Sequence, residues 1–164
     1  MEHGKRFNAN EVSSGKLNPS DIHHIAEWIY QIPLYQRYRL TPDIMKASLE
    51  TALAHGDWLH VISIQDVAVG FAWCLPQGTF SVSPYLRLIA VHPGEQGKGI
   101  GPLLLREAES WAREIQGSLT LLVSDFNHSA QRFYRREGYR ETGRIPRLVL
   151  DDVDEIIYHK ALEE

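Results

Sequence analysis

The segment that decides the fold runs from Leu88 to Gly101 and reads LIAVHPGEQGKGIG. Its apolar first part predicts a strand that ends at Val91. Three alternating glycines follow, Gly97, Gly99 and Gly101, and a helix begins directly after them. Glycine lets a backbone approach a ligand closely, and the first N–H groups of a helix have no partner within it. Together with the helix dipole, this arrangement predicts a site for an anion, most often a phosphate.

The glycine spacing departs from two other phosphate-binding motifs. A P-loop reads G-x-x-x-x-G-K-[ST], but here Gly99 follows Lys98, and His92 stands where the first glycine belongs. A dinucleotide fingerprint reads G-x-G-x-x-G/A, and here Pro102 stands at its last position. Its glycines also follow the strand directly, whereas residues 92–96 intervene here. A nucleotide-binding protein therefore remains an alternative that the pattern disfavours.

The residues on either side of this segment predict a mixed α/β fold. Upstream, two helices begin at Asn18-Pro19 and Thr41-Pro42, because Asn and Thr cap helices and Pro is tolerated in the first turn. Pro33 is expected to end the first helix and Gly56 the second. Before them, residues 1–17 predict a loop or a short strand. Strands are predicted over 58–64, 67–74 and 85–91, with 80–82 as a further candidate. Downstream, the pattern predicts a helix over 102–115, a strand over 118–124, a helix over 128–137, and a hairpin with strands over 139–150 and 155–162.

Composition indicates one ordinary globular domain over residues 1–164, because 43% of the residues are hydrophobic and 23% are charged. No apolar run suggests a membrane span or a secretory signal, so a cytoplasmic protein without a membrane partner is expected. The single cysteine, Cys74, excludes an internal disulfide, and the eight histidines show no ligand spacing, so no metal is expected. A net charge of −4 disfavours nucleic acid as a partner. A homodimer is left open.

A second motif lies downstream of the glycines. Asn127, Ala130, Phe133-Tyr134 and Gly138-Tyr139 follow the pattern N-x-x-A-x-x-F-Y-x-x-x-G-Y. Together with the run from Gln96 to Gly101, which follows the pattern Q/R-x-x-G-x-G/A, it resembles the GCN5-related N-acetyltransferase (GNAT) superfamily. The resemblance implies a mostly antiparallel central sheet flanked by helices, with splayed central strands. It also implies transfer of an acetyl group from acetyl-CoA to a primary amine of a small molecule or peptide. A GNAT-fold module that binds acyl-CoA without turnover is the alternative.

The resemblance also implies a role for each matching residue. The backbone of Ile89 and Val91 would bond to the pantetheine arm of acetyl-CoA. Asn127 would contact the same arm, or cap the helix that follows it, or both. Tyr134 would protonate the departing thiolate as a general acid, the other interpretation being a core aromatic residue beside Phe133. The full set expected to bind acetyl-CoA is Ile89, Ala90, Val91, Gln96, Gly97, Lys98, Gly99, Ile100, Gly101, Asn127 and Tyr134.

The general base is not identified by the pattern. Glu27, Asp125 and a water chained to Tyr85 are the candidates. Relatives that acetylate protein N-termini often carry Glu on the strand before the second motif, where this chain has Leu121-Leu122-Val123. They also tend to have paired tyrosines in the last hairpin, where this chain has Arg147-Leu148-Val149. Both differences disfavour a protein N-terminus as the acceptor.

The resemblance places the acceptor between the loop over 30–39 and the hairpin over 144–155. Three tyrosines in the loop indicate an aromatic lining. Acidic residues at 151, 152, 154 and 155 would attract a cationic amine, although a solvated hairpin tip is the simpler interpretation.

Overall fold

The computed structural model describes residues 12–163, which form a seven-stranded sheet flanked by helices. In chain order the strands are β1 (Val12–Lys16), β2 (Trp58–Ile64), β3 (Val67–Thr79), β4 (Ser83–Val91), β5 (Ser118–Ser124), β6 (Arg140–Ile145) and β7 (Glu155–Ala161). The helices are α1 (Ile22–Tyr30), α2 (Pro33–Arg37), α3 (Pro42–His55), α4 (Ile100–Ile115) and α5 (His128–Arg136). Short 3₁₀ turns over Pro19–Asp21 and Pro93–Glu95 precede α1 and follow β4.

The sheet is mixed and mostly antiparallel, as predicted. Its strand order is β1-β2-β3-β4-β5-β7-β6. β4 and β5 run parallel, whereas β5 with β7 and β6 with β7 run antiparallel. The β4–β5 register consists of the pairs Tyr85–Thr120 and Leu86–Leu121 and stops before the ends of both strands, which agrees with the predicted splay. A doubly wound parallel sheet, which the dinucleotide-binding alternative requires, is thereby excluded.

The chain divides into two compact units, each with its own core. The first comprises the residues through Trp73 together with Leu88–Arg106, and the second comprises Cys74–Arg87 and the residues from Glu107 onward. In the first unit α1 packs on α3, and the fully buried side chains include Ile25, Ile29 and Leu49. In the second unit the inner face of β5 and β7 buries Leu119, Leu121, Ile156 and Tyr158. The single domain expected over 1–164 stays a prediction, and residues 1–11 and 164 lie outside the described part of the chain.

Several element boundaries differ from the predicted ones for local reasons. α1 ends at Tyr30, and Pro33 begins a further short helix, α2. The fixed φ of proline suits the first turn of a helix. β3 extends beyond 74 to Thr79, and the proposed strand over 80–82 is wrong, because Phe80 and Ser81 have positive φ angles of 50° and 60° and form a turn. The first strand of the last hairpin ends at Ile145 rather than at 150, and a turn with Arg147 at φ 53° follows.

Candidate functional site

The turn after β4 is held by backbone and side-chain hydrogen bonds of His92. Its N–H donates to the carbonyl oxygen of Val69 at 2.7 Å, which continues the pairing beyond the end of β4. Its ring Nδ1 accepts a hydrogen bond from the Gly94 N–H at 3.0 Å and caps the 3₁₀ turn over Pro93–Glu95. His92 therefore serves as a turn residue that directs the chain toward the glycines.

Gly97 and Gly99 need to be glycine because of their backbone angles. Their φ values are +76° and +88°, a region that L side chains rarely adopt. A Cβ added at either position would meet no atom of the described residues within 4 Å, so the surface above the loop is open. α4 begins immediately afterwards at Ile100, one residue beyond Gly99. An open surface, a left-handed backbone and a helix N-terminus form an arrangement that fits a pyrophosphate.

Ile100 anchors this loop from below. Ile100 is 3% exposed, so its side chain packs inside the protein. A Cβ on Gly70 would lie 2.6 Å from Ile100 Cγ2 and 3.1 Å from Leu104 Cδ1. Gly70, on β3, thus lets the first turn of α4 pack closely against the strand. The sequence alone does not identify this residue, because a glycine within a strand indicates a close approach without indicating the partner.

Lys98 is the charged side chain of the glycine segment. Its Nζ lies 2.7 Å from Glu95 Oε2, and both side chains are partly exposed. The neighbouring carboxylate therefore competes with a phosphate for the ammonium group. The N–H groups of the loop and helix are the larger fixed source of positive potential here.

On β4, the three residues expected to bind acetyl-CoA alternate in exposure. Ala90 is buried, whereas Ile89 and Val91 are half-buried. The Ile89 carbonyl oxygen accepts a hydrogen bond from the Tyr35 hydroxyl at 3.1 Å, and the Val91 carbonyl oxygen accepts one from Gln96 Nε2 at 3.4 Å. Side chains thus occupy one acceptor position on each of the two carbonyl groups. A carbonyl oxygen has a second lone pair, which remains able to accept a ligand donor.

Asn127 caps α5, in the second unit. Its Oδ1 accepts a hydrogen bond from the Ala130 N–H at 3.2 Å. This is the N-cap interpretation offered by the sequence, and it fixes the direction of the side chain. Gln131 strengthens the same corner, because its Nε2 donates to the carbonyl oxygens of Ser124 and Asp125 at 3.3 and 2.9 Å.

Tyr134 lies on the buried side of α5 with 6% of its surface exposed. Its ring packs edge-on against Phe133 at 5.0 Å and Tyr139 at 5.5 Å, and Tyr158 lies 6.5 Å away. Three aromatic rings therefore restrict the orientation of the Tyr134 ring. A fixed ring is required for a positioned proton donor, and it is equally what a core residue would show.

Tyr139 is itself held by charged neighbours. Lys160 Nζ lies 2.8 Å from Glu109 Oε1 and 5.5 Å from the centre of the Tyr139 ring. Burial, and after it the adjacent Glu109 carboxylate, raise the pKa of Tyr139. Its phenol therefore stays neutral near neutral pH, and its ring supports Tyr134.

The three candidates for the general base lie in different surroundings. Glu27 is exposed on α1. Asp125 forms two hydrogen bonds with the backbone of Asp154, the residue before β7. Its N–H donates to the Asp154 carbonyl oxygen at 2.9 Å, and its Oδ2 accepts from the Asp154 N–H at 3.4 Å. Tyr85 is half-buried, and its pKa is raised mainly by burial.

The sequence-predicted residues are thus distributed over both units. The first unit brings together Ile89, Ala90 and Val91 with the loop from Gln96 to Gly101, and the second holds Asn127 and Tyr134 on α5. Within residues 12–163, no group of three or more His, Cys, Asp or Glu side chains could hold a metal ion. In the same part of the chain, no helix combines the length and the apolar character needed to cross a membrane.

Comparison with known proteins gives three kinds of match. A family model described as "Acetyltransferase (GNAT) family" matches residues 21–139. Streptothricin acetyltransferase from Streptomyces lavendulae is 46% identical over 56 residues, which cover 34% of this chain and 30% of that protein. Blasticidin-S acetyltransferase from Streptomyces morookaense is 37% identical over 62 residues, 38% of this chain and 46% of that protein. Each matched segment is therefore less than half of the curated relative.

Among solved structures, yncA from Salmonella typhimurium, described with its cofactor acetyl-CoA, has a TM-score of 0.74. The likeness covers 94% of this chain and 96% of that one at 20% sequence identity. At this identity the likeness shows the fold, which is the one that the two sequence motifs predict.

Proposed function

This chain belongs to the acetyltransferase (GNAT) family, and we propose that it is an N-acetyltransferase that uses acetyl-CoA to acetylate a primary amine. The observation that supports this proposal most is the open loop at Gly97 and Gly99. Its positive φ angles and the adjoining start of α4 suit the pyrophosphate of acetyl-CoA. The proposed binding set is the one predicted from the sequence, with Lys98 contributing a partly screened charge.

The chemistry proposed for the site is direct transfer. The neutral amine attacks the thioester carbonyl carbon, the C–N bond forms, the C–S bond breaks, and the thiolate takes a proton from Tyr134. An N–H group near Val91 would stabilise the charge on the carbonyl oxygen. Cys74 takes no part, because it is fully buried and burial raises the pKa of its thiol, which keeps it protonated.

The acceptor that we propose is the amine of a small molecule or peptide, with a small molecule favoured. The names of the two curated relatives refer to streptothricin and blasticidin S, which makes these compounds the first acceptors to test. The absence of Glu at 121–123 and of tyrosines at 147–149 supports the same preference over a protein N-terminus. A cytoplasmic location and a possible second copy in solution belong to the proposal as well.

Two measurements test this function. The first is thermal unfolding with acetyl-CoA, CoA, NAD and ATP, since a bound ligand stabilises the folded state by RT ln(1 + [L]/Kd). The second is CoA thiol release with streptothricin, blasticidin S and a short peptide as acceptors. Stabilisation by acetyl-CoA followed by acceptor-dependent thiol release supports the enzyme. Stabilisation without release from any acceptor supports the non-catalytic acyl-CoA-binding module, and stabilisation by NAD or ATP alone contradicts both.

A further inference from the structure

A buried carboxylate that the sequence analysis did not select stands at the start of β7. Glu155 is 5% exposed, although a carboxylate is costly to bury unless its surroundings or its function compensate. It pairs across the ladder with Ser124, the last residue of β5, which is 6% exposed. Strongly buried ionisable groups concentrate at functional sites, which makes Glu155 a candidate for the missing base.

The strand register fixes the face to which Glu155 belongs. Side chains alternate along a strand, and directly opposed residues share a face. The register pairs Tyr85 with Thr120 and Thr120 with His159, and His159 is four residues from Glu155 on β7. These residues therefore share one face of the second unit. Tyr158 belongs to the other face, the one that packs against Tyr134.

β5 extends beyond its pairing with β4. The β4 register with β5 ends at Leu121, whereas β7 stays paired with β5 as far as Ser124. At this end of β5, Tyr134 packs on the face of Tyr158, and Glu155 belongs to the opposite face.

Charged side chains of both signs surround the start of β7. The pKa of Tyr85 is raised mainly by burial, lowered by the charge of Arg87 and raised again by the charge of Glu155. The Glu155 carboxylate and the Tyr85 phenol therefore interact. Two other carboxylates are close in sequence or structure. A carboxylate oxygen of Asp154 lies 3.7 Å from a guanidinium nitrogen of Arg144, and the Asp125 carboxylate accepts a hydrogen bond from the Asp154 N–H. Arg87 and Arg144 thus offset part of the negative charge at this end of the sheet.

We infer that Glu155 is the proton acceptor of the reaction, taking one proton from the acceptor ammonium group before attack. This inference rests on the proposed acetyl transfer. The N–H bond of the ammonium breaks and its proton moves to the Glu155 carboxylate, which leaves a neutral amine with a lone pair. That amine forms the C–N bond as the C–S bond breaks. Tyr134 gives its proton to the thiolate, the nitrogen loses its second proton to solvent, and solvent reprotonates Tyr134. Glu155 then returns its own proton to solvent.

The test compares Glu155→Gln with Glu141→Gln, the same substitution at a partly exposed glutamate that pairs with Arg135, using the best of the three acceptors named above. Glu155→Gln should lower kcat/KM for the amine by about 100-fold, since general bases contribute about 10²- to 10⁴-fold. The acetyl-CoA Kd, measured by calorimetry, should stay within about threefold, and Glu141→Gln should cost less than about threefold in rate. Equal losses in both variants would assign the effect to the general field and overturn the inference.

The pH profile separates a base from a structural residue. An alkylamine with a pKa near 10.4 has a growing neutral fraction as the pH rises, and this fraction needs no base. The deficit of Glu155→Gln should therefore shrink between about pH 7 and about pH 9. A deficit that is constant with pH contradicts the inference. If Glu155→Gln does not fold, Glu155→Asp replaces it: the shorter carboxylate should lose about tenfold in rate and keep the wild-type profile, and a wild-type rate would count against Glu155. A wild-type chain that acetylates none of the acceptors instead removes the proposed function itself.

Discussion

The Tyr35 hydroxyl on α2 donates a hydrogen bond to the Ile89 carbonyl oxygen on β4 at 3.1 Å, across 54 residues of sequence. This carbonyl belongs to the segment proposed to bind the pantetheine arm. Burial raises the pKa of Tyr35, so the phenol stays protonated and keeps its proton for this bond. The hydrogen bond thereby connects α2 to the strand proposed to bind the co-substrate.

Tyr35→Phe should weaken the fold and strengthen co-substrate binding. Losing one buried hydrogen bond lowers the free energy of unfolding by about 1 kcal/mol. The released carbonyl oxygen becomes available to a ligand donor, so the acetyl-CoA Kd should fall by about two- to fivefold. Urea unfolding and calorimetry measure the two effects. A Kd that rises more than threefold would show that Tyr35 helps to form the site instead.

Gly70→Ala should lower stability and weaken acetyl-CoA binding by displacing the start of α4. The new Cβ would meet Ile100 and Leu104, and overpacking of this kind costs about 1–3 kcal/mol of stability. Because Ile100 begins α4, its displacement also moves the N–H groups proposed to bind pyrophosphate, and the acetyl-CoA Kd should rise about tenfold. Gly15→Ala is the matched control: it is also a glycine in a strand, and its Cβ meets no described atom within 4 Å. Equal effects of the two substitutions would contradict the packing argument.

Local patterns explain which parts of this structure could be predicted. The glycine turn, the Asn127 cap and the main strands depend on neighbours in sequence, and each occurs close to its predicted place. α4 begins at Ile100, two residues before the predicted start, because Gly99 rather than Pro102 ends the extended chain.

Relationships between distant residues could not be predicted in the same way. Gly70 gives no indication in the sequence of the helix that crosses it, and the Tyr35–Ile89 hydrogen bond depends on how α2 packs. In the sequence, Glu155 stands out only as one of several acidic residues near a hairpin tip. Its burial becomes evident once the register pairs it with Ser124.

Gly99→Asp and Lys98→Ala separate backbone from side-chain contributions to phosphate binding. The aspartate would introduce a like charge into the open space and strain the +88° φ angle, so the acetyl-CoA Kd should rise by about 100-fold or more. Lys98 is partly exposed and already paired with Glu95, so its loss should cost about tenfold at most. Calorimetric titration of acetyl-CoA measures both. Complete loss of binding in Lys98→Ala would show that side-chain charge dominates.

Stability should decline at alkaline pH. Burial is the main cause of the raised pKa values of Cys74, Tyr35, Tyr85 and Tyr139. A raised pKa favours the folded state fully below the value in the unfolded chain, which is 9.0 for the thiol and 10.0 for the phenols, and this contribution is lost as the pH rises further. The free energy of unfolding should therefore fall above about pH 9, by about 1.4 kcal/mol per pH unit for each such group. Urea unfolding between about pH 8 and about pH 11 measures how steeply the free energy of unfolding falls with pH. In Tyr35→Phe this slope should be smaller by the contribution of one titrating group.

Tyr134→Phe tests the proposed general acid. The substitution removes one hydroxyl and keeps the ring that packs against Phe133 and Tyr139, so the fold and the acetyl-CoA Kd should change little. If Tyr134 protonates the thiolate, the loss arises in the transition state, and kcat should fall while the KM for acetyl-CoA stays nearly constant. We expect about a tenfold to 100-fold decrease, at or below the low end for general acids, because a thiolate is already a fair leaving group. The alkaline limb of the pH–rate profile should also disappear or move. Tyr158→Phe is the control, because Tyr158 belongs to the same cluster of rings. Its hydroxyl is buried and has no hydrogen-bond partner in the described structure, so its removal should leave kcat unchanged. A Tyr134→Phe variant with the wild-type rate and an unchanged profile would reduce Tyr134 to a packing residue and leave water as the proton donor.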